Sequence, residues 1–187
     1  MKVFCNGFPK AGNHALWKAV ELLGQPAGVN HRPFKEGIPD DTTHHIFIVR
    51  DPRNIIVSWL RFQQQAVTPG TFLARFRRFD SASLSEEMAR YEEWTKWEYA
   101  RSETTWQFIA AKTYVVRYED LIADDKAMRD LAVFLNVPYI KGAWEELPGL
   151  TKTWNKVRSD YYDIWTPEVI KAWYTEGGDH LLQRWGY

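Results

Sequence analysis

Apolar positions along the chain follow two spacings. Short continuous runs, Val3-Phe4-Cys5 and Ile46-Phe47-Ile48-Val49, read as buried strands. Longer stretches repeat their apolar positions every three or four residues. Ile55, Ile56, Trp59, Leu60 and Phe62 mark one helical face, and Met128, Leu131, Ala132 and Leu135 another, assigned to core. The pattern predicts strands at about 2–7, 27–31, 44–49 and 113–117, and helices at about 12–23, 52–65, 84–111, 124–136 and 166–184. Such alternation favours a parallel sheet covered on both faces, and ligands of such sheets bind beyond the strands' carboxyl ends.

Two predicted strand-to-helix turns carry chemistry at that edge. The first is Pro9-Lys10-Ala11-Gly12-Asn13-His14. A tight glycine turn opening a helix aims backbone N–H groups at one point, the helix dipole adds positive character, and Lys10 puts a cation beside it. The second is Arg50-Asp51-Pro52-Arg53, with Pro52 suited to a first helical position. Arg50 ends the strand and Ser58 falls about two turns into the helix, so a guanidinium fork and a hydroxyl could share one phosphate. Taken singly, each segment also reads as an ordinary turn with solvated side chains.

In their order and spacing over residues 2–121, these segments resemble the sulfotransferases that use 3′-phosphoadenosine 5′-phosphosulfate (PAPS). That family opens with a strand and a Pro-Lys-Ser-Gly-Thr-Thr-like loop for the 5′-phosphosulfate, matched by residues 9–14. Its arginine with a serine eight residues later, for the 3′-phosphate, is matched by Arg50 and Ser58. A third element, Tyr118-Glu119-Asp120-Leu121 after the strand Tyr114-Val115-Val116-Arg117, is similar to the family segment whose tyrosine lies near the adenine. The chain departs where Asn13 and His14 replace two threonines, and where Ala15 replaces an adenine-stacking tryptophan, with Trp17 two residues on. Lys156 and Arg158 partly resemble the family's C-terminal arginine-lysine-glycine loop, without its glycine.

The resemblance implies an α/β fold: a single-domain three-layer sandwich over residues 1–187, with a central parallel β-sheet flanked by helices, of the P-loop NTPase-like sulfotransferase kind. It implies PAPS as cofactor, with PAP as product, and no metal requirement. The implied nucleotide contacts are Lys10, Ala11, Gly12, Asn13, His14, Ala15, Arg50, Ser58, Tyr118, Lys156 and Arg158.

Competing motifs fit less well. Lys10 precedes Gly12, whereas a kinase-type P-loop places lysine after its last glycine, and neither Gly-Lys-Ser/Thr nor Gly-x-Gly-x-x-Gly occurs. A nucleotide-binding protein of this fold without turnover, and an ATP-dependent phosphotransferase of the related P-loop group, stay as alternatives. The phosphotransferase would have no use for the Arg50/Ser58 pair.

Composition narrows the setting. Lysine plus arginine and aspartate plus glutamate number 24 each, so no basic excess points to nucleic acid. No run reaches membrane-spanning length, and the start lacks a signal peptide's apolar stretch. Cys5 is the only cysteine, which excludes an intramolecular disulfide and fits a cytoplasmic location. Within a strand it reads as a small core residue.

Sulfuryl transfer, like phosphoryl transfer, rests on positioning and charge stabilisation. Lys10 would stabilise the leaving phosphate. A hydroxyl acceptor needs a base, and His31, in Val29-Asn30-His31-Arg32-Pro33, shares its histidine and proline with the family's catalytic Lys-Thr-His-Leu-Pro context. His14 is the other candidate, while His44, His45 and His180 read as packing. The expected acceptor is a small molecule or glycan. Ten tryptophans could supply an aromatic cleft, with Trp154 and Trp165 flanking Arg158, although most read as core. The stretch Val67–Ser85, with Arg75, Arg77 and Arg78, reads either as a flap over the acceptor or as a surface segment.

Overall fold

Every residue of β1 (Val3–Gly7) is buried, and so are the last five of β2 (His44–Val49). Successive side chains of a strand point to opposite faces, so a fully buried strand is covered on both. In the computed structural model, which describes residues 2–39, 42–104, 107–150 and 161–187 (only the backbone over 99–104 and 107–112), these strands are parallel neighbours. Their register runs from Val3 opposite His44 to Gly7 opposite Ile48. β5 (Tyr114–Arg117) pairs in parallel on the other side of β2, giving the order β1-β2-β5. The carboxyl ends of all three strands therefore share one edge, and the chain leaves each of them into a turn and a helix.

The helices follow from caps and apolar faces. α1 (Asn13–Leu22) starts at Gly12 and buries Ala15, Leu16, Ala19 and Val20. It packs on β1 and on α7 (Ala143–Leu150). α2 (Pro52–Phe62) has Pro52 at its first position and Asp51 as N-cap, whose carboxylate accepts the Arg53 N–H at 2.9 Å. Such a cap is worth about 1 kcal/mol. α2 buries Ile55, Ile56, Val57 and Leu60. α5 (Tyr118–Ala123) follows β5 directly, and α6 (Lys126–Phe134) buries Met128, Leu131 and Ala132, with Leu135 buried just beyond it. Cys5 is fully buried, and burial pushes its thiol up to about 12. It is an inert core residue.

The α/β architecture with a parallel sheet agrees with the sequence reading, but four elements differ. The strand expected at 27–31 is a single bridge, Val29 to Cys5. Side chains replace the ladder there: Asn6 Nδ2 donates to Arg32 O at 3.0 Å, and Arg32 N donates to Asn6 Oδ1 at 2.8 Å. The helix expected over 84–111 is only α4 (Leu84–Ala89), then a 3₁₀ turn (Glu92–Thr95), then an antiparallel hairpin of β3 (Glu98–Thr104) and β4 (Gln107–Lys112). Trp94 and Trp97 do meet, at 5.0 Å edge to face, but over a 3₁₀ turn and its end. The expected helix 166–184 breaks at Gly177, whose φ of 83° ends α8 (Pro167–Thr175) before α9 (Gly178–Arg184). Finally, the 67–85 stretch contains α3 (Pro69–Arg77), started by a Thr68 capping box. Its Phe76 stacks on Trp173 of α8 at 4.6 Å, and its Arg77 forks onto Glu176, so α3 is docked on α8.

No helix among the described residues is long and apolar enough to cross a membrane. None of their His, Cys, Asp and Glu groups forms a cluster suited to a metal ion.

Candidate active site

The three turns at the carboxyl edge meet around Arg50. It is 6 % exposed and donates from Nη1 to Lys10 O at 3.1 Å. Its guanidinium lies 4.3 Å from the Tyr118 ring centre. Its Nε is buried with no hydrogen-bond partner. A buried, unsatisfied guanidinium N–H is costly unless something binds it, and an oxyanion such as phosphate or carboxylate is the natural complement of the planar guanidinium. Burial lowers the Arg50 pKa, offset in part by Tyr118, Glu119, Tyr187 and Asp51.

Lys10 occupies the left-handed region at φ 69°, unusual for a side chain with a Cβ. Its ammonium rests 4.1 Å from the ring centre of Phe62, an exposed residue at the end of α2. Partial burial and the neighbouring Arg50 both lower its pKa. Gly12 follows at φ 109°, and a Cβ there would lie 2.3 Å from Tyr118 Cδ2, so only glycine lets this ring close over the loop. The first helical carbonyl, Gly12 O, accepts from Leu16 N. The N–H groups of Gly12, Asn13, His14 and Ala15 thus have no intrahelical acceptor, and a helix start of this kind suits an anion.

Asn13 works inward, with 2 % of its surface exposed. Its Nδ2 donates to Phe8 O at 2.9 Å and sits 3.2 Å from His31 Nδ1. The Asn13 amide nitrogen is thus spent on bracing the loop, and its backbone N–H keeps no intrahelical acceptor. His14 is exposed and lies edge-on to Trp17 at 6.0 Å. Ala15 is buried and offers no face for stacking.

His31 is brought to the loop by contacts to its own backbone and its neighbour's. Tyr91 Oη donates to His31 O at 3.1 Å, and Trp94 Nε1 donates to Arg32 O at 3.0 Å. Nδ1 of His31 lies 3.3 Å from Gly7 O. In the tautomer that donates there, Nε2 keeps a free lone pair. Burial of the packed side of the ring lowers its pKa; the Gly7 contact opposes this, and His14 and Lys10 add to it. Burial and the contributions of His14 and Lys10 favour the neutral ring that a base needs, and the Gly7 contact works against them. His45, by contrast, is wholly buried, stacks on Phe4 at 5.1 Å and bonds Thr113, and burial lowers it to about 3.

Ser58 lies half-buried on the second turn of α2. Lys156, Arg158 and Trp154 fall outside the described residues. Three roles at this edge escaped the sequence reading: Phe62, read there as part of an apolar helical face, is exposed under Lys10, and Glu119 and Tyr187 lie behind Arg50. Glu119 stood inside a recognised motif, whereas nothing in the sequence marked Tyr187.

A likeness to known proteins accompanies this geometry. The profile of the sulfotransferase domain family matches residues 29–156, a span that includes His31, Arg50, Ser58, Tyr118 and Lys156 but starts after the Lys10 loop. Among solved structures, that of mouse sulfotransferase SULT7A1 complexed with PAP is similar in fold. Its TM-score is 0.66 at 16 % identity, with 98 % of this chain and 84 % of that one covered. No curated protein sequence matches the chain.

Proposed function

The chain belongs to the sulfotransferase domain family, and from that premise we propose that it moves a sulfuryl group from PAPS to a hydroxyl or amine of a small-molecule or glycan acceptor. The observation that carries this reading is the buried Arg50 with an unpartnered Nε, tied to the Lys10 loop and faced by Tyr118. Two distinct anion-binding features, one on the turn after β1 and one on the turn after β2, suit a ligand with two phosphate groups on different positions.

The residues fit such a ligand in most respects. Arg50, with Ser58, would hold the 3′-phosphate, and Lys156 and Arg158 are the family's further candidates there. The α1 N-terminus, through the N–H groups of Gly12, Asn13 and His14, would hold the 5′-phosphate. Tyr118 would border the adenine, since buried Ala15 cannot stack on it. When bound, PAPS supplies an activated sulfuryl group. Lys10 would leave the Phe62 ring and neutralise charge growing on the leaving phosphate oxygen. His31 would take the acceptor's proton on Nε2 while Gly7 O holds Nδ1–H.

Calorimetry tests the reading. Adenosine 3′,5′-bisphosphate should bind more tightly than AMP or ATP with magnesium, and PAPS with an acceptor panel should release the bisphosphate. Preference for ATP with magnesium would sink the proposal and promote the phosphotransferase.

A further inference from the structure

Behind Arg50 lies a hydrogen-bonded group of Glu119, Asp51 and Tyr187. Glu119 Oε1 accepts the Asp51 N–H at 3.2 Å, and Glu119 Oε2 accepts the Tyr187 hydroxyl at 2.5 Å. Tyr187 is seated by Trp185, which is 4 % exposed and packs 5.7 Å from Phe47 and 6.2 Å from Phe8. Gly186, at φ 76°, turns the chain back, and Tyr187 N donates to Leu182 O at 2.8 Å. On its outer side the Tyr187 ring lies 4.7 Å from the Arg117 guanidinium. Burial, then Glu119, pushes the phenol upward, so it stays a donor.

The carboxylates around Arg50 are thereby divided. Asp51 is committed elsewhere: it caps α2 and grips Arg53 through Nε at 3.0 Å and Nη2 at 2.7 Å. Glu119 adds favourable charge at Arg50, while its two oxygens are directed to the Asp51 N–H and the Tyr187 hydroxyl. It can lower the cost of a buried cation without capping the guanidinium, whose Nε stays open.

We infer that Tyr187 is a positioning residue for Arg50: its hydroxyl restrains Glu119 from closing an ion pair with the arginine, and so keeps Arg50 available to a 3′-phosphate. The inference rests on the assignment of Arg50 to that phosphate under the proposed function. On this reading, loss of the hydroxyl releases one glutamate oxygen, and an ion pair with Arg50 then competes with the ligand.

The test is calorimetry of adenosine 3′,5′-bisphosphate and AMP on four proteins: wild type, Tyr187→Phe, Glu119→Gln and the double variant, each checked by thermal melting. Tyr187→Phe should lower the ratio of bisphosphate to AMP affinity about tenfold, the scale of one hydrogen bond to a charged group. The double variant should recover most of the ratio, because a neutral amide makes no ion pair. A merely structural role for Tyr187 predicts no such rescue. An unchanged ratio in Tyr187→Phe, or a double variant as weak as the single one, overturns the inference while the proposed function stands. A wild-type protein without preference for the bisphosphate overturns both. Glu119→Gln removes the competing charge and must keep or raise the ratio; a tenfold loss there also overturns the inference, including where Tyr187→Phe fails to fold.

Discussion

The turn after β1 and the turn after β2 each deliver a cation to the same sheet edge, but they hold it differently. Arg50 is buried, bonded to Lys10 O, faced by Tyr118 and backed by Glu119. Lys10 sits on a left-handed backbone, and its ammonium touches an exposed ring. A fixed guanidinium suits a phosphate that stays put, and a swinging ammonium suits a charge that appears only during transfer. Under the proposed function, the difference would divide recognition and chemistry between adjacent turns, one over-determined and one resting on an exposed ring.

Four experiments break or sharpen this contrast. Lys10→Ala should cut turnover by about 10²-fold or more, with bisphosphate affinity nearly intact. Equal losses in both would mean that Lys10 is a second binding cation and the contrast is false. Arg50→Ala should weaken bisphosphate binding by at least about tenfold and leave AMP almost unaffected; parallel losses in calorimetry would point to collapse of the turn. Gly12→Ala meets both a φ of 109° and the Tyr118 ring, and should cost about 1–3 kcal/mol in denaturant unfolding. A wild-type midpoint would show that the ring yields easily and the loop is less constrained than Arg50.

The smallest effect is a pH shift. The His31 pKa is lowered from 6.5, chiefly by burial, with opposition from Gly7 and help from His14 and Lys10. The ring therefore loses its proton below pH 6.5, and a base needs the deprotonated form. The acid limb of kcat/KM should accordingly fall below pH 6.5 and vanish in His31→Ala along with transfer to hydroxyls. A limb above that value would remove His31 from the role of base.

How much of this was legible in the sequence depends on how local the determinants were. The β1 and β2 runs, the Asp51-Pro52 helix start and the Lys10 and Arg50 turns are written in adjacent residues, and their place at one edge follows from parallel pairing. The 84–111 region misled because Trp94 and Trp97 at i, i+3 fit a 3₁₀ turn as well as an α-helix. Segment 27–31 misled because the Asn6 amide replaces a strand ladder, an arrangement without a periodic signature. Glu119 and Tyr187 are 68 positions apart, and only the folded chain joins them.

The perch of Lys10 on Phe62 has a practical corollary. A lysine less basic than usual carries more free amine at a given pH above neutrality, and here that amine lies against a ring open to solvent. Acylating reagents at mild pH should modify Lys10 early, and a ligand that draws the side chain inward should shield it. The rate of that one modification, followed by peptide mass spectrometry, would then serve as a built-in gauge of occupancy that needs no acceptor and no turnover.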